Sequence, residues 1–440
     1  MKLRRKSRSI FARAAALLIC TCAAFCYTAS AARASTANWE KSDLDVHFYF
    51  NSGSPGTRAL GSSFLNALTV DGQQFEPHPY NDPARLGSTL FAFDTASKNI
   101  DVGLATYRYK LNSVKFTATL TYDSGPPTLK YTENIISHTD IFAEYETGPI
   151  TSQRPMELYG VGFRGEYTGF EFVDNLNETV DGPPLLDEIR HPATGDGGSY
   201  IAYALVRNEV TPGVFADVDV MNSITGGYSE TDTTHLTDPF TPIPMSIGKG
   251  FQRPVNAEDP PIELVEEEAI PESSFFEFSL DLEQPGVRSY LQESLGKGEL
   301  GFFLSSAHST AQFGSGGGFP RWYLKDAAGF PYFALEDFLP KLVIDYEILP
   351  PLEGDYNGNG IVDLADYVLW RNGGPLLNQV HDPSQITSED YTEWRARFGN
   401  VFSGGALGNS QSLSIPEPTG AILILLAVLG LVDKWHRRTR

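Results

Sequence analysis

Apolar residues recur at every second position in several stretches of this chain. Leu44, Val46, Phe48 and Phe50 alternate with Asp45, His47 and Tyr49, and Val114, Phe116, Ala118, Leu120 and Tyr122 alternate with Lys115, Thr117, Thr119 and Thr121. The same period runs through Phe276, Phe278, Leu280 and Leu282, and through Leu342, Ile344, Tyr346 and Ile348. Successive strand side chains point to opposite faces. Each stretch therefore predicts a strand with one apolar and one mixed or polar face, in a sheet covered on one side. Clusters of Gly, Pro, Asn and Asp separate the stretches, as at 51–56 and 123–127. The pattern over residues 35–351 predicts a mainly β domain, a jelly-roll-like sandwich of two antiparallel sheets. One segment changes period: Val287, Leu291 and Leu295 share a helical face within 285–295.

Composition agrees with a folded, turn-rich chain. Of 440 residues, 28 are Phe and 20 Tyr, too much apolar surface to leave solvated, and 41 Gly with 29 Pro suit strands and turns better than a helical bundle. The net charge of −22 opposes nucleic-acid phosphate, so no nucleic-acid partner is expected. The acidic, proline-containing segment 258–271 reads as a solvated loop.

The ends read as addresses. Lys2, Arg4, Arg5, Lys6 and Arg8 precede an apolar run at 14–25, and two A-x-A sites follow, Ala29-Ser30-Ala31 and Ala32-Arg33-Ala34. This is the layout of a secretory signal peptide, residues 1–34. All three cysteines, Cys20, Cys22 and Cys26, lie inside it, so the cleaved chain has no disulfide, cysteine metal site or thiol nucleophile. At the other end Pro416-Glu417-Pro418 precedes an uncharged apolar run at 421–432 and a tail with Lys434, Arg437, Arg438 and Arg440. An apolar helix with a basic stop is a transmembrane segment whose basic side stays in the cytoplasm, leaving the body outside. Residues 1–34 and 419–440 carry eleven basic residues and one acidic one, so the body between them carries −32 rather than −22.

The order Pro-Glu-Pro, apolar helix, basic tail over 416–440 resembles the PEP-CTERM sorting signal of exported bacterial proteins. That resemblance implies recognition by an exosortase, a membrane protease-transpeptidase. It also implies a place in the periplasm, outer envelope or extracellular matrix, among proteins linked to exopolysaccharide. Residues 401–415 would be the linker.

The sharpest chemistry lies at 355–366, where oxygen side chains stand at loop positions 1, 3, 5, 9 and 12, as Asp355, Asn357, Asn359, Asp363 and Asp366, with Gly360 at position 6. Calcium is a hard cation that takes six to eight oxygens, and alternate residues of a tight loop turn theirs inward. The Ile361 carbonyl supplies position 7, Gly360 permits the sharp turn, and Ile361 and Val362 are expected to pack beneath the loop. Asp366 is expected to open a helix over 367–371.

Asp366-Tyr367-x-x-Trp370-Arg371 recurs as Asp390-Tyr391-x-x-Trp394-Arg395. A loop-helix unit with Asp at position 12, followed by a second copy, resembles a dockerin type I module, here residues 353–400. The resemblance implies calcium binding and a cohesin-like protein as a possible partner. Asn359 stands where Asp is usual, which lowers the ligand charge. The second copy keeps only 386–390, so one Ca²⁺ site is expected. Tyr367, Trp370, Tyr391, Trp394 and Phe398 fall at helical spacing and read as the small core between two helices.

Residues 275–347 resemble the ending of DNRLRE-type exported jelly rolls: strand and helix (279–295), then the strand Gly301-Phe302-Phe303-Leu304-Ser305-Ser306, then closure on 340–346. Such modules are adhesive, carbohydrate-binding or structural. Gly160-Val161-Gly162-Phe163-Arg164-Gly165 matches G-x-G-x-x-G but precedes a strand-like rather than a helical segment, so no dinucleotide site is expected. No metalloprotease, esterase or P-loop motif is present, the histidines are scattered, and the catalytic residues, if any, are unknown. Trp39, Trp322 and Tyr323 read as rim or core aromatics, with stacking on sugar rings as the alternative.

The expected function is an exported, non-catalytic glycan- or protein-binding β-sandwich with a calcium-dependent dockerin-like module. The alternative is an O-glycosyl hydrolase carrying that module. Partners are then the exosortase-type enzyme, extracellular polysaccharide or a cohesin-like protein, and the membrane until the C-terminal helix is processed.

Overall fold

The computed structural model describes residues 34–49, 59–66, 69–70, 73–74, 85–121, 129–135, 137, 154–163, 168–170, 172, 202–220, 241–254, 256, 258–306, 319–329, 336–379 and 385–402. Residues 1–33 of the expected signal peptide, the sorting segment, Phe50 and Tyr122 lie outside them, while Ala34 is the first described residue. Among the described residues no helix is long and apolar enough to cross a membrane. The chain divides into two compact units, one of Ala34–Ile348 and one whose described part is 349–402.

The larger unit is mainly β. In chain order its strands are β1 (Ala34–Trp39), β2 (Leu44–Tyr49), β3 (Leu60–Ser62), β4 (Phe64–Asn66), β5 (Thr69–Val70), β6 (Gln73–Gln74), β7 (Arg85–Asp94), β8 (Tyr109–Thr121) and β9 (Met156–Phe163). They continue as β10 (Ala202–Thr211), β11 (Val214–Asp219), β12 (Ser246–Ile247), β13 (Lys249–Gln252), β14 (Ile262–Glu263), β15 (Phe275–Ser279), β16 (Glu299–Ser306), β17 (Arg321–Tyr323) and β18 (Lys341–Ile348). Helix α1 (Pro285–Lys297) joins β15 to β16.

Among the described residues these strands make two eight-stranded sheets and the small β5–β6 ribbon. The first sheet runs β1-β18-β8-β15-β13-β14, with β17 added on β8 and β3 on β17. The second runs β11-β10-β9-β16-β7-β2, with β12 on β9 and β4 on β7. Neighbours are antiparallel throughout, for instance Leu342↔Phe116 in the first sheet and Phe302↔Phe91 in the second. The acidic segment 258–271 contributes the exposed edge strand β14 to the first sheet.

The sheets meet through aromatic rings. Phe116 of β8 lies 5.1 Å from Phe91, 6.1 Å from Phe93 and 5.8 Å from Phe302, all three from the second sheet, and 5.8 Å from its own neighbour Phe278. All five are fully buried, and a buried Phe contributes about 1.5–3 kcal/mol. Helix α1 buries Val287, Leu291 and Leu295 against the same core, on the face its spacing predicts. Gly298, with φ 86°, ends the helix in the left-handed conformation and its N–H bonds back to the Ser294 and Leu295 carbonyls.

One covered face describes β18, where Leu342, Ile344 and Tyr346 are buried and Val343, Asp345 and Glu347 are partly exposed. It does not describe the second sheet. There Phe91 and Phe93 face the first sheet, while Leu90, Ala92, Leu44, Val46, Tyr159 and Phe303 form a separate buried cluster on the other face. Asp45 pairs with Phe91 and His47 with Thr89, so the polar face of β2 points inward. Asp45 is 1% exposed and accepts hydrogen bonds from Ser42 Oγ (2.8 Å) and Lys325 N (2.6 Å). His47 Nδ1 accepts one from Ser62 N (3.1 Å). The physical reason is a second apolar layer. The runs Met156–Phe163 and Glu299–Ser306 are buried almost throughout, as strands covered on both faces must be.

Trp39, Trp322 and Tyr323 are all buried, Trp322 donating Nε1–H to Ser63 Oγ (3.0 Å). They are core aromatics, and none is open for stacking on a sugar ring. Gly160 and Gly162 sit on β9, a strand. A Cβ on Gly162 would stand 2.3 Å from the Tyr203 ring, and one on Gly160 2.7 Å from Met245 Cε. The G-x-G spacing therefore reflects side chains lying across a strand.

Candidate functional site

The smaller unit is built around the loop 355–366. It contains α2 (Leu364–Arg371) and α3 (Ser388–Arg397), so the first helix starts before Asp366 rather than after it. Asp363 is the N-cap, its Oδ1 accepting Ala365 N–H (2.7 Å), and Asp366 reaches back to Asp363 N–H (2.7 Å) in a capping box. Thr387 and Asp390 do the same for α3, with Asp390 Oδ2 accepting Thr387 N–H at 2.7 Å.

Two carboxylates organise the loop backbone. Asp355 Oδ1 accepts the N–H groups of Gly358 (2.9 Å) and Asn359 (3.1 Å), and its Oδ2 accepts that of Gly360 (2.9 Å). Asp366 Oδ1 accepts Tyr356 N–H (2.7 Å) and Asn357 N–H (3.0 Å). Asn357 Oδ1 accepts Asn359 N–H and Asn359 Oδ1 accepts Ile361 N–H, each at 2.9 Å. These i to i+2 turns fold successive oxygens over the loop. Gly358 (φ 73°) and Gly360 (φ 84°) supply the left-handed backbone.

Asp355 and Asp366 are both fully buried. Burial pushes each carboxyl above its usual range. Backbone N–H groups oppose that, while Asp366 raises Asp355 and Asp363 raises Asp366. Among the described residues no three of His, Cys, Asp and Glu converge into a metal-binding group. Two carboxylates converge here, and the remaining oxygens are amide and carbonyl. Such a donor set suits a hard cation. Two like charges buried side by side also need a counter-charge.

Ile361 departs from expectation. Val362 is buried, but Ile361 is 40% exposed, because it forms an antiparallel bridge with Val401 instead of packing beneath the loop. The bridge uses Val362 N–H to the Asn400 carbonyl (2.8 Å) and Phe402 N–H to the Gly360 carbonyl (2.7 Å). The Ile361 carbonyl takes no part in those bonds and stays available to the loop.

The two halves are related by an offset of 24 residues, Asp363 to Thr387, Asp366 to Asp390 and Trp370 to Trp394. Trp370 Nε1–H bonds the Thr387 carbonyl (2.8 Å), and Trp394 Nε1–H bonds the Asp363 carbonyl (2.7 Å). Each helix's Trp thus satisfies the N-cap carbonyl of the other. Tyr367, Trp370, Tyr391, Trp394 and Phe398 form a run of ring contacts 5.1–6.0 Å apart, over buried Tyr356 and Val362. Symmetry breaks at the second aspartate: Asp390 is buried, yet its Oδ1 has no hydrogen-bond partner among the described residues. Most of the segment upstream of it, 380–384, lies outside those residues.

The larger unit holds a cleft of about 230 Å³ between α1 and the second sheet. Arg207 of β10 binds both oxygens of Asp217 (2.7 and 2.9 Å) and Glu293 Oε2 (2.6 Å), and Lys297 binds Glu293 Oε1 (2.8 Å). Burial raises Glu293, but the bonds from Lys297 and Arg207 outweigh it and hold the carboxyl below its usual range. Glu299 is pushed up by burial, against one N–H bond from Phe170 (2.8 Å). Sequence spacing could not bring these residues together, because α1 lies far along the chain from the β10–β11 hairpin.

The fold is therefore a two-sheet β protein with a small helical unit that carries an oxygen-lined loop. No protein-family model and no curated protein sequence matches this chain.

Proposed function

We propose that this is an exported, non-catalytic binding protein of the bacterial cell envelope or extracellular matrix, in which the β unit holds a glycan or a neighbouring protein and the helical unit is set by one calcium ion. The observation that carries the calcium reading is the fully buried pair Asp355 and Asp366 in an all-oxygen loop. Asp355, Asn357, Asn359, the Ile361 carbonyl, Asp363 and Asp366 are the ligands, Asp363 acting through water because its Oδ1 caps α2. Calcium supplies the positive charge that the two carboxylates lack. The dockerin-like repeat, the two end signals and the −32 body agree with export and with ion-bridged contact to anionic polysaccharide. The membrane, an exosortase-type enzyme and a cohesin-like protein are the proposed partners of the ends and the small unit.

Calcium titration of the full chain, followed by tryptophan fluorescence and calorimetry, tests this. Trp370 and Trp394 stand beside the loop, so saturable heat with a spectral change is expected, lost in Asp355→Ala. Titration without heat or spectral change would end the calcium reading. A polysaccharide panel should show binding to the β unit without release of reducing ends.

A second reading, a carbohydrate-active hydrolase, has one observation in its favour. Glu293 and Glu299 line a single cleft and are shifted in opposite directions, as an acid and its partner carboxylate require. Against it, both Glu293 oxygens are already bound to cations. Release of reducing ends, abolished in Glu299→Gln, would establish that reading.

A further inference from the structure

We propose that the cleft between α1 and strands β9 and β10 binds a single neutral sugar residue. This inference rests on the glycan-binding reading of the β unit and assigns it a place.

Size comes first. At about 230 Å³ the cleft falls below the roughly 300 Å³ at which pockets for drug-sized ligands begin, so it takes one ring rather than a chain. Two strand glycines let aromatic rings settle on its floor. A Cβ on Gly162 would meet the Tyr203 ring at 2.3 Å, and one on Gly301 would meet the Phe170 ring at 2.5 Å. Both rings pack over these glycines and line the cleft, beside Phe163, whose ring is 5.1 Å from that of Phe170. Partly exposed aromatic surface of this kind suits the C–H face of a pyranose.

Charge then selects the ligand. Asp217, Arg207, Glu293 and Lys297 form one continuous chain of ion pairs that cancels itself. Glu299 is the charge left over, its Oε2 on Phe170 N–H and its Oε1 facing Gly169. An anionic ligand meets no surplus cation here and faces the Glu299 carboxylate. A neutral polyol is different: its hydroxyls accept from the guanidinium and ammonium and donate to the carboxylates without disturbing the balance. The ion-pair chain also holds those donors and acceptors still, since Arg207 is fixed at three of its N–H groups and its side chain is only 11% exposed.

The test uses the full chain and the methyl glycosides of D-glucose, D-galactose, D-mannose and N-acetyl-D-glucosamine, by saturation-transfer NMR and calorimetry. At least one should bind with a Kd on the order of millimolar, as a single ring in an open cleft allows. Glucuronate, which adds a negative charge to a similar ring, should bind at least fivefold more weakly. Thr168 is exposed at the mouth, and Thr168→Trp fills the cleft without touching the core. Glu299→Gln keeps the shape and removes the charge. Each should weaken binding at least tenfold with the thermal transition of the β unit unchanged. If polysaccharides and glycosides bind both variants as well as the parent, the cleft is not the site, while the glycan-binding reading stands. If no glycan binds the parent chain, both fall.

Discussion

The two units solve the same problem, a stable interior, with opposite materials. The β unit closes its sheets on rings and aliphatic side chains: Phe116 touches Phe91, Phe93, Phe278 and Phe302, and charged pairs such as Lys110–Glu347 stay at the surface. Among its described residues the helical unit has only Tyr356, Val362 and Trp394 as buried apolar groups, and beside them it buries Asp355, Asp366 and Asp390. A unit of some fifty residues has too little apolar surface to stand on packing alone, and metals are a common supplement. Its carboxylates take the place of a core by collecting backbone N–H groups. The lesson is that burial of apolar area should govern one unit, and charge and ion occupancy the other.

The largest expected effect separates the units directly. Phe116→Ala should cost the β unit about 3–5 kcal/mol, the usual loss for a fully buried Phe. Urea unfolding of the full chain, read by far-ultraviolet circular dichroism for the sheets and by calcium-sensitive fluorescence for the small unit, should show only the first transition moving. Equal movement of both would mean the units do not unfold independently.

Asp45 sharpens the comparison, because it is the most deeply buried carboxyl among the described residues of the β unit, ahead of Glu157 and Asp219. Burial pushes it up to about 7, with Asp326 adding to the rise and the Lys325 N–H and Ser42 hydroxyl opposing it. Between about pH 4 and 7 the folded unit keeps a proton that the unfolded chain has released. Stability from this group is therefore full below about pH 4 and is lost as pH rises through 7, by about 4 kcal/mol. Asp45→Asn should remove that slope. Urea midpoints for parent and variant at pH 4.5 and 7.5 check it, and parallel profiles would refute it.

How much of this was legible in the chain differs between the units for the same reason. Period-2 patterning exposed β8, β15 and β18, since it reports one face at a time. It misplaced Asp45 and His47, because a strand buried on both faces can carry a satisfied polar group inside, and one of the partners that allow it, the Lys325 N–H, comes from a remote segment. The oxygen-lined loop was readable because its side chains are local, twelve consecutive residues at fixed spacing. Ile361 was misjudged because its partner Val401 lies forty positions away. The cleft had no sequence signal except Gly162 and Gly301, glycines inside strands, which mark places where something approaches the backbone.

In the helical unit, Asp366→Ala strips the loop of the acceptor for Tyr356, Asn357 and Asp363 N–H groups. With partial rescue by water, a loss of about 2–3 kcal/mol and of all calcium-dependent stabilisation is expected. Thermal melts of the small-unit transition with calcium and with chelator measure it. A variant still stabilised by calcium would show that the ion sits elsewhere.

The smallest effect tests the internal symmetry. Trp370→Phe and Trp394→Phe each keep a large ring and delete one hydrogen bond to the other half's N-cap carbonyl, Thr387 for the first and Asp363 for the second. A lost bond of this kind costs about 1 kcal/mol, more where the orphaned carbonyl stays dry. Trp394 is 6% exposed and Trp370 is half-buried, so Trp394→Phe should cost slightly more. The Asp363 carbonyl also belongs to the loop, so only Trp394→Phe should weaken calcium binding, by a few-fold in calorimetry. If both variants weaken it alike, the second helix contributes to the ion through more than this one bond. If neither does, the offset repeat is a packing device alone, and the ion is held by the first half without help from the second.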